Sequence, residues 1–509
     1  MRNKFELQDY EPVTPSPSKL PFSSCHTEHD SPPTKAIEPT LLANVPAKTQ
    51  KQPWAISNNR QRNSEGPRTE QTQDGDHWAL KRGHSLSYLG LFVFTFLVYF
   101  RPYELFPSLA WLSRSALIVA IITLAIFIPT QLGLENRITA RPREVRLVLA
   151  LLITGLLSIP FAVEPSRALE SFIEFFKVII MFIVMVNVVR TEKRLRRLIL
   201  LVLLASCVLS VAALNDYAHG NLVLQGRRIA GLIGGLFSNP NDLALHLVTM
   251  IPISLTLFLG SRGPLNKAIY LICSLLLMAG LVATFSRGGF LGFVCVMAFL
   301  AWKLARRNRV IFGAVAFTIV LAALALAPSA YRSRLATTSD DSAVARTDDL
   351  KRSILVAARH PLFGVGMDNY ILYSNTNKAT HNAYTQVAAE MGFTAFLIYL
   401  GFLLTPFNRL RQIEQIAEAG KRKSAVYYLA IGFQASLVAY MVVSFFASVA
   451  YLWYAYYLVA YSICLRRICA NIAEDPEFAS TPRQISARRS SKRAPSPIHS
   501  DETVVVGEN

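Results

Sequence analysis

The sequence predicts an all-α polytopic membrane protein with about twelve transmembrane helices and one long outer loop containing a surface helix. Three observations carry that prediction. Apolar residues come in blocks of about 18–22, the length that crosses a bilayer's hydrocarbon core as a helix. The chain is 52% hydrophobic, with a positive mean hydropathy of +0.33, which water-soluble domains of this length rarely reach. Its basic residues concentrate in alternate short loops between the apolar blocks.

Residues 1–84 are rich in Pro, Ser, Thr, Asn, Gln and charge, as in EPVTPSPSKLPF and SNNRQRNSEGPRTEQTQDGD. That composition buries too little surface to fold alone and reads as a disordered tail. The apolar blocks fill residues 85–466. The expected spans are 86–103, 112–132, 145–162, 169–189, 197–215, 240–260, 267–285, 289–304, 310–328, 383–406, 425–446 and 449–466. Residues 467–509, with SARRSSKRAPSP, read as a second disordered tail.

Charge sets the expected orientation. One set of loops holds Arg137, Arg141, Arg143 and Arg146, then Arg190, Lys193, Arg194, Arg196 and Arg197, then Arg262 and Lys267. It continues with Lys303, Arg306, Arg307 and Arg309, and then Arg409, Arg411, Lys421, Arg422 and Lys423. The positive-inside rule assigns these loops and both tails to the cytoplasm. The long loop 329–382 then lies outside. Within it, DSAVARTDDLKRSILVAARH places Val344, Leu350, Ile354, Leu355 and Ala358 near one helical face, as in an amphipathic helix on a membrane surface. HPLFGVGMDNY follows, with Pro361 as a stop and Gly364 and Gly366 as turn residues.

Several classes are disfavoured. The net charge of +19 belongs to loops and tails, without zinc-finger spacing or an RNA-binding signature, so nucleic acid is not an expected partner. The six cysteines show neither a disulfide framework nor metal-ligand spacing. The first 80 residues lack the apolar core of a cleavable signal.

Three polar features fall on the expected outer face. KATHNAYTQVAAEMG puts His381 and Asn382 just before the tenth span. ATFSRGGFLG puts Arg287 in the hairpin between spans seven and eight. LQGRRIAGLIGGLFSNPNDLALH puts Arg227 and Arg228 ahead of span six, with Asn239, Asn241 and Asp242 at its N-terminal cap. Arg binds phosphate bidentately and keeps its charge at any relevant pH, and helix N-termini add N–H donors and favourable potential. A neutral imidazole beside such an anion site can take a proton from a hydroxyl. The chemistry that fits is displacement of a pyrophosphate leaving group by an alcohol. Blander readings exist for each residue. An Arg at a span end often snorkels, a His before a helix often caps it, and Arg227 and Arg228 suit lipid headgroups. Glu390, one or two turns into the tenth span, needs a partner or a wet cavity; Lys177 is similarly placed in the fourth.

SNPNDLAL, T-x-SRGG, HPLFGVG and HNAYTQVAAEMG, in this order among twelve spans, resemble the O-antigen ligase and polymerase superfamily of bacterial membrane glycosyltransferases. The resemblance runs from about Arg227 to Phe402. It implies transfer of a glycan from undecaprenyl diphosphate at the periplasmic face of the inner membrane, without cofactor or metal. Membrane lipids and a lipid, glycan or protein acceptor are then the partners. Of the family's ligase motif, His381, Asn382 and Gly392 match, and Ala395 stands where Gly, Thr or Tyr is usual. The resemblance assigns a base to His381 and diphosphate-binding arginines to Arg287 and Arg228, with Arg227 as the alternative to Arg228; Asn382 and Asn241 join the substrate-binding set. It leaves open a ligase, a polymerase of O-antigen or exopolysaccharide, and a protein O-oligosaccharyltransferase. A twelve-span transporter is the competitor from another class; against it, the halves show no internal repeat.

Overall fold

A computed structural model describes residues 70–474, except 106, 137, 141, 221–236, 238, 305–308, 337–340, 375–377 and 420–424. Of the tails expected at 1–84 and 467–509, residues 1–69 and 475–509 lie outside the described residues, whereas 70–84 and 467–474 are helical, within α1 and α16. Among those described, every regular element is helical. The first half contains α1 (Glu70–Phe100), α2 (Pro102–Leu105), α3 (Ser115–Glu135), α4 (Arg143–Ser158), α5 (Pro165–Val188), α6 (Glu192–Ala218), α7 (Pro240–Gly260) and α8 (Pro264–Ala283). The second contains α9 (Arg287–Leu304), α10 (Arg309–Ala325), α11 (Ser329–Ala336), α12 (Asp341–Arg359), α13 (Ala383–Met391), α14 (Phe393–Ala419), α15 (Ala425–Val443) and α16 (Trp453–Glu474).

The chain is an all-α polytopic membrane protein. Ten of its described helices are long and apolar enough to cross a bilayer. The other two expected spans are helical as well: α10 is a shorter apolar helix, and α16 is rich in tyrosine and carries Arg466 and Arg467. Burial separates the centre from the rim. Of the apolar window in α7, 78% is buried, and in α15 72%, against 22% in α3 and 28% in α8. α7 and α15 pack on each other as the axis of the bundle. Tyr451, Tyr454, Tyr456 and Tyr457 are buried, so the run YLWYAYY packs the bundle rather than facing lipid. α1 begins at Glu70, ahead of the first expected span.

Two buried networks mark one end of the bundle. Lys303 Nζ at the end of α9 meets Glu414 Oε2 of α14 at 2.7 Å, and Gln434 Nε2 of α15 donates to the same oxygen at 3.1 Å. Glu135 of α3 accepts from Arg190 at 2.6 Å and from Arg467 of α16 at 2.9 Å, while Arg466 reaches Glu144 of α4 at 3.1 Å. Pairing at this depth is what lets such charges sit beside apolar spans.

The structure corrects one boundary. The tenth span was expected to run unbroken over 383–406, but the helix stops at Met391 and restarts at Phe393. Gly392 sits between them at φ 89 and ψ 171, a backbone region open essentially to glycine alone. A Cβ there would collide with the Leu362 carbonyl, and the neighbouring Phe393 N–H donates to Pro361 O at 2.7 Å. HPLFGVG therefore docks into the break. Val365 N and Gly366 N donate to the carbonyls of Ala389 and Glu390, both at 2.9 Å. Glu390 thus belongs to a separate nine-residue helix outside the spans, not to the tenth, and His381 lies two residues ahead of that short helix.

Candidate functional site

The turn Thr284–Arg287 reverses the chain between α8 and α9. Phe285 takes a positive φ of 53, and its ring packs edge-on against Tyr331 of α11 at 5.4 Å. The Ser286 hydroxyl donates to Asn241 Oδ1 in the first turn of α7 at 3.0 Å and accepts from Gly289 N at 3.2 Å. The Tyr331 hydroxyl donates to the Ser286 carbonyl at 2.9 Å. Arg287 follows as the first residue of α9, half-buried. α7 itself starts under a side-chain cap: Asn239 Oδ1 accepts from Asn241 N at 3.0 Å. Of the three residues read as cap, Asn239 caps, and Asn241 and Asp242 belong to the first turn.

α13 starts in the same way. Asn382 Oδ1 accepts from Tyr384 N at 2.9 Å and Thr385 N at 3.1 Å, so its side chain is the N-cap. Its Nδ2 is buried without a hydrogen-bond partner. His381, just ahead, takes φ 52, a left-handed conformation uncommon outside glycine. Thr380 Oγ1 ties the approach down, donating to the Asn382 carbonyl at 2.9 Å and meeting Ser448 Oγ at 3.1 Å.

One segment joins the two starts. The short 3-10 helix Ser444–Phe446 and the residues to Tyr451 follow α15. The Tyr384 hydroxyl donates to Met441 O at 2.8 Å, and its ring lies 6.4 Å from Phe445. On the other side, a Cβ on Gly288 would meet the Phe446 side chain at 3.1 Å, so α9 begins hard against that ring. His381, Arg287 and Asn241 therefore stand at starts of three helices gathered around the end of α15. This end of the bundle is opposite the Lys303–Glu414 and Arg467–Glu135 networks. Arg227 and Arg228 lie outside the described residues.

Other polar groups surround these starts. The Glu390 carboxyl closes α13, only 3% exposed, and burial pushes it up to about 8. Lys177 pairs with Glu174 one turn earlier on α5 at 2.6 Å on an exposed face. α12 buries Asp349, Ser353 and Val356 and leaves Ile354 and Leu355 about half exposed, an apolar face pointing away from the protein. Beneath the α7 start, His246 bonds Ser206 of α6 at 2.8 Å amid the rings of Tyr99, Phe237 and Tyr454. Sequence reading passed over Ser286 and His246. Ser286 stood within a quoted motif, but only its distant partner gives it a role. His246 was an ionisable residue inside an apolar block, a signal by itself.

Fold and site define a class: a polytopic helical membrane protein with arginine, histidine and helix N-termini convergent at one end. Residues 272–400 match the family model described as O-antigen ligase, which supports membership of the O-antigen ligase and polymerase superfamily. The matched quarter of the chain contains Arg287, His381 and Asn382, and ends before α14 does. The match supports a function of the O-antigen ligase and polymerase type in glycan biosynthesis. No curated protein matches the chain.

Proposed function

We propose that the protein transfers a glycan from undecaprenyl diphosphate to an acceptor hydroxyl at the periplasmic face of the inner membrane, as an O-antigen ligase-like enzyme. The observation that carries the reading is the convergence of the Arg287 turn and the His381 cap on the Ser444–Ser448 segment, inside or beside the family match. Orientation rests on charge: the arginine-rich networks occupy the opposite end, which the positive-inside rule assigns to the cytoplasm along with both tails.

Arg287 and Arg228, or Arg227 in its place, hold the diphosphate. Two-pronged guanidinium contacts and the N–H donors of the α9 start neutralise the leaving group. His381 takes the proton of the acceptor hydroxyl. The freed oxygen attacks the anomeric carbon from the face opposite the diphosphate, the carbon–oxygen bond to phosphate breaks, and undecaprenyl diphosphate leaves with inverted configuration at the sugar. Asn382 fixes the first turn of α13 through Oδ1 and keeps Nδ2 for the imidazole or a sugar hydroxyl. Asn241, held by Ser286, lines the donor side. The outward apolar face of α12 suits a surface helix that lies in the headgroup region and covers the lipid diphosphate.

The same site chemistry serves a polymerase that joins repeat units, or a transferase with a protein acceptor. Ala395, in place of the usual ligase-motif residue, favours keeping the polymerase reading. Transport is the weakest reading, because the candidate site residues gather at one end and the halves of the sequence show no internal repeat. The deciding experiment is the glycan profile of a deletion strain together with its lipid-linked pool. Full-length chains stranded on lipid with bare acceptor support the ligase. Single repeat units in place of a ladder convert the reading to a polymerase, and an unchanged profile overturns both.

A further inference from the structure

α13 carries a polar stripe. Asn382, Gln386 and Glu390 recur every four residues, so they lie on one helical face, and they are 2%, 7% and 3% exposed. That face runs along the segment after α15. At the near end, Thr380 Oγ1 meets Ser448 Oγ at 3.1 Å; midway, Ala450 N lies 3.4 Å from Gln386 Oε1. At the far end, the Glu390 carboxyl faces the Tyr451 hydroxyl, and each perturbs the other's titration. Glu390 Oε2, the Tyr451 hydroxyl and Asn382 Nδ2 are all buried without a hydrogen-bond partner of ordinary geometry. A buried seam with three such groups costs stability, which calls for a reason to keep it. It joins the helix led by His381 to the segment that also supports the start of α9.

We propose that Glu390 is a positioning residue for His381, pinning the far end of α13 against Tyr451 and the docked HPLFGVG loop so that the imidazole keeps its place at the near end. The inference rests on the reading of His381 as the base. Glu390 does this work as the neutral acid. No cation lies within ion-pair distance of its carboxyl among the described residues, and its ionisable neighbours are acids. Asp368 and Tyr370 face it from the docked loop and Tyr451 from the segment after α15. Arg167 of α5 is spent on Asp368 at 3.7 Å and on Glu164 at 2.9 Å, with Glu170 beside Asp368. Burial among such groups keeps the proton on, up to about 8. Above that pH the buried carboxylate carries a charge with no counter-ion beside it, repels Asp368, and loosens the seam.

The test uses the full-length protein in proteoliposomes, with Glu390→Ala and Glu390→Gln. Two quantities are read across pH: kcat and KM for transfer, and the thermal unfolding midpoint in the absence of substrate. The amide copies the neutral acid, so Glu390→Gln is expected to keep most of kcat. Glu390→Ala is expected to lose about tenfold or more in kcat with KM nearly unchanged, the pattern of a displaced catalytic group. In wild type, kcat is expected to fall above about pH 8, and in Glu390→Gln it holds. The folded protein keeps a proton that the unfolded chain has released between pH 4.5 and about 8, so wild-type stability falls relative to Glu390→Gln across that window as pH rises. Full kcat in Glu390→Ala, equal loss in both variants, or parallel unfolding midpoints overturns the proposal. If wild type shows no transfer at all, the functional reading fails, and the unfolding midpoints still decide whether Glu390 is a neutral pin.

Discussion

The Ser286 hydroxyl, in the turn that launches α9, donates to Oδ1 of Asn241 in the first turn of α7 at 3.0 Å. Residues far apart in sequence are thereby held as one rim, with Arg287 next along the chain. Ser286→Ala removes this bond and the one to Gly289 N. It is expected to cost about 1–2 kcal/mol of stability, since a net hydrogen bond contributes about 1 kcal/mol. Transfer is expected to fall further than stability does, because Arg287 loses its anchor. Thermal unfolding and initial transfer rates on the same preparation check the two effects.

Arg287 itself is predicted to need its forked guanidinium and not only its charge. Arg287→Lys keeps a cation but loses bidentate phosphate geometry, so transfer is expected to drop by about tenfold or more while the protein still folds. Rates with saturating donor, set beside the amount of folded protein, separate the two.

The glycine between α13 and α14 has a conformation that side chains disfavour and a carbonyl where a Cβ would sit. Gly392→Ala is expected to destabilise by about 3 kcal/mol or more, since backbone strain and collision add. The readout is the yield of monodisperse protein from membranes and its unfolding midpoint. Wild-type yield and midpoint would show that the break is not required.

At the other end, Glu414 is fully buried against Lys303. Glu414→Ala leaves the ammonium without its counter-charge and is expected to cost about 3–5 kcal/mol. Replacing both partners with Met is expected to restore much of that loss. A double-mutant cycle on unfolding midpoints tests the coupling.

The fold class was legible because apolar block length and loop charge report directly on the bilayer. A helix at 341–359 was legible from its periodicity, and α12 forms there. The break at Gly392 was not, because an apolar run looks continuous whether or not one backbone angle inverts. What forces the break is the loop 361–366 docking from outside the run, a tertiary fact. The motif residues His381, Arg287 and Asn241 were picked from local chemistry, and the structure brings their helix starts together. Ser286, Tyr384 and the Ser444–Ser448 segment were missed because their roles exist only across long sequence separations. Asn382 was placed in the substrate-binding set, and its side-chain oxygen caps α13.

The central claim is that His381 removes the acceptor proton. His381 sits at φ 52, a conformation asparagine tolerates well, so His381→Asn removes the imidazole with little penalty to the backbone. The measurement is the initial rate of glycan transfer from a lipid-diphosphate donor, at equal amounts of folded wild-type and His381→Asn protein. The account predicts a loss of at least about 10²-fold, the scale of a missing general base. Transfer at the wild-type rate would contradict it.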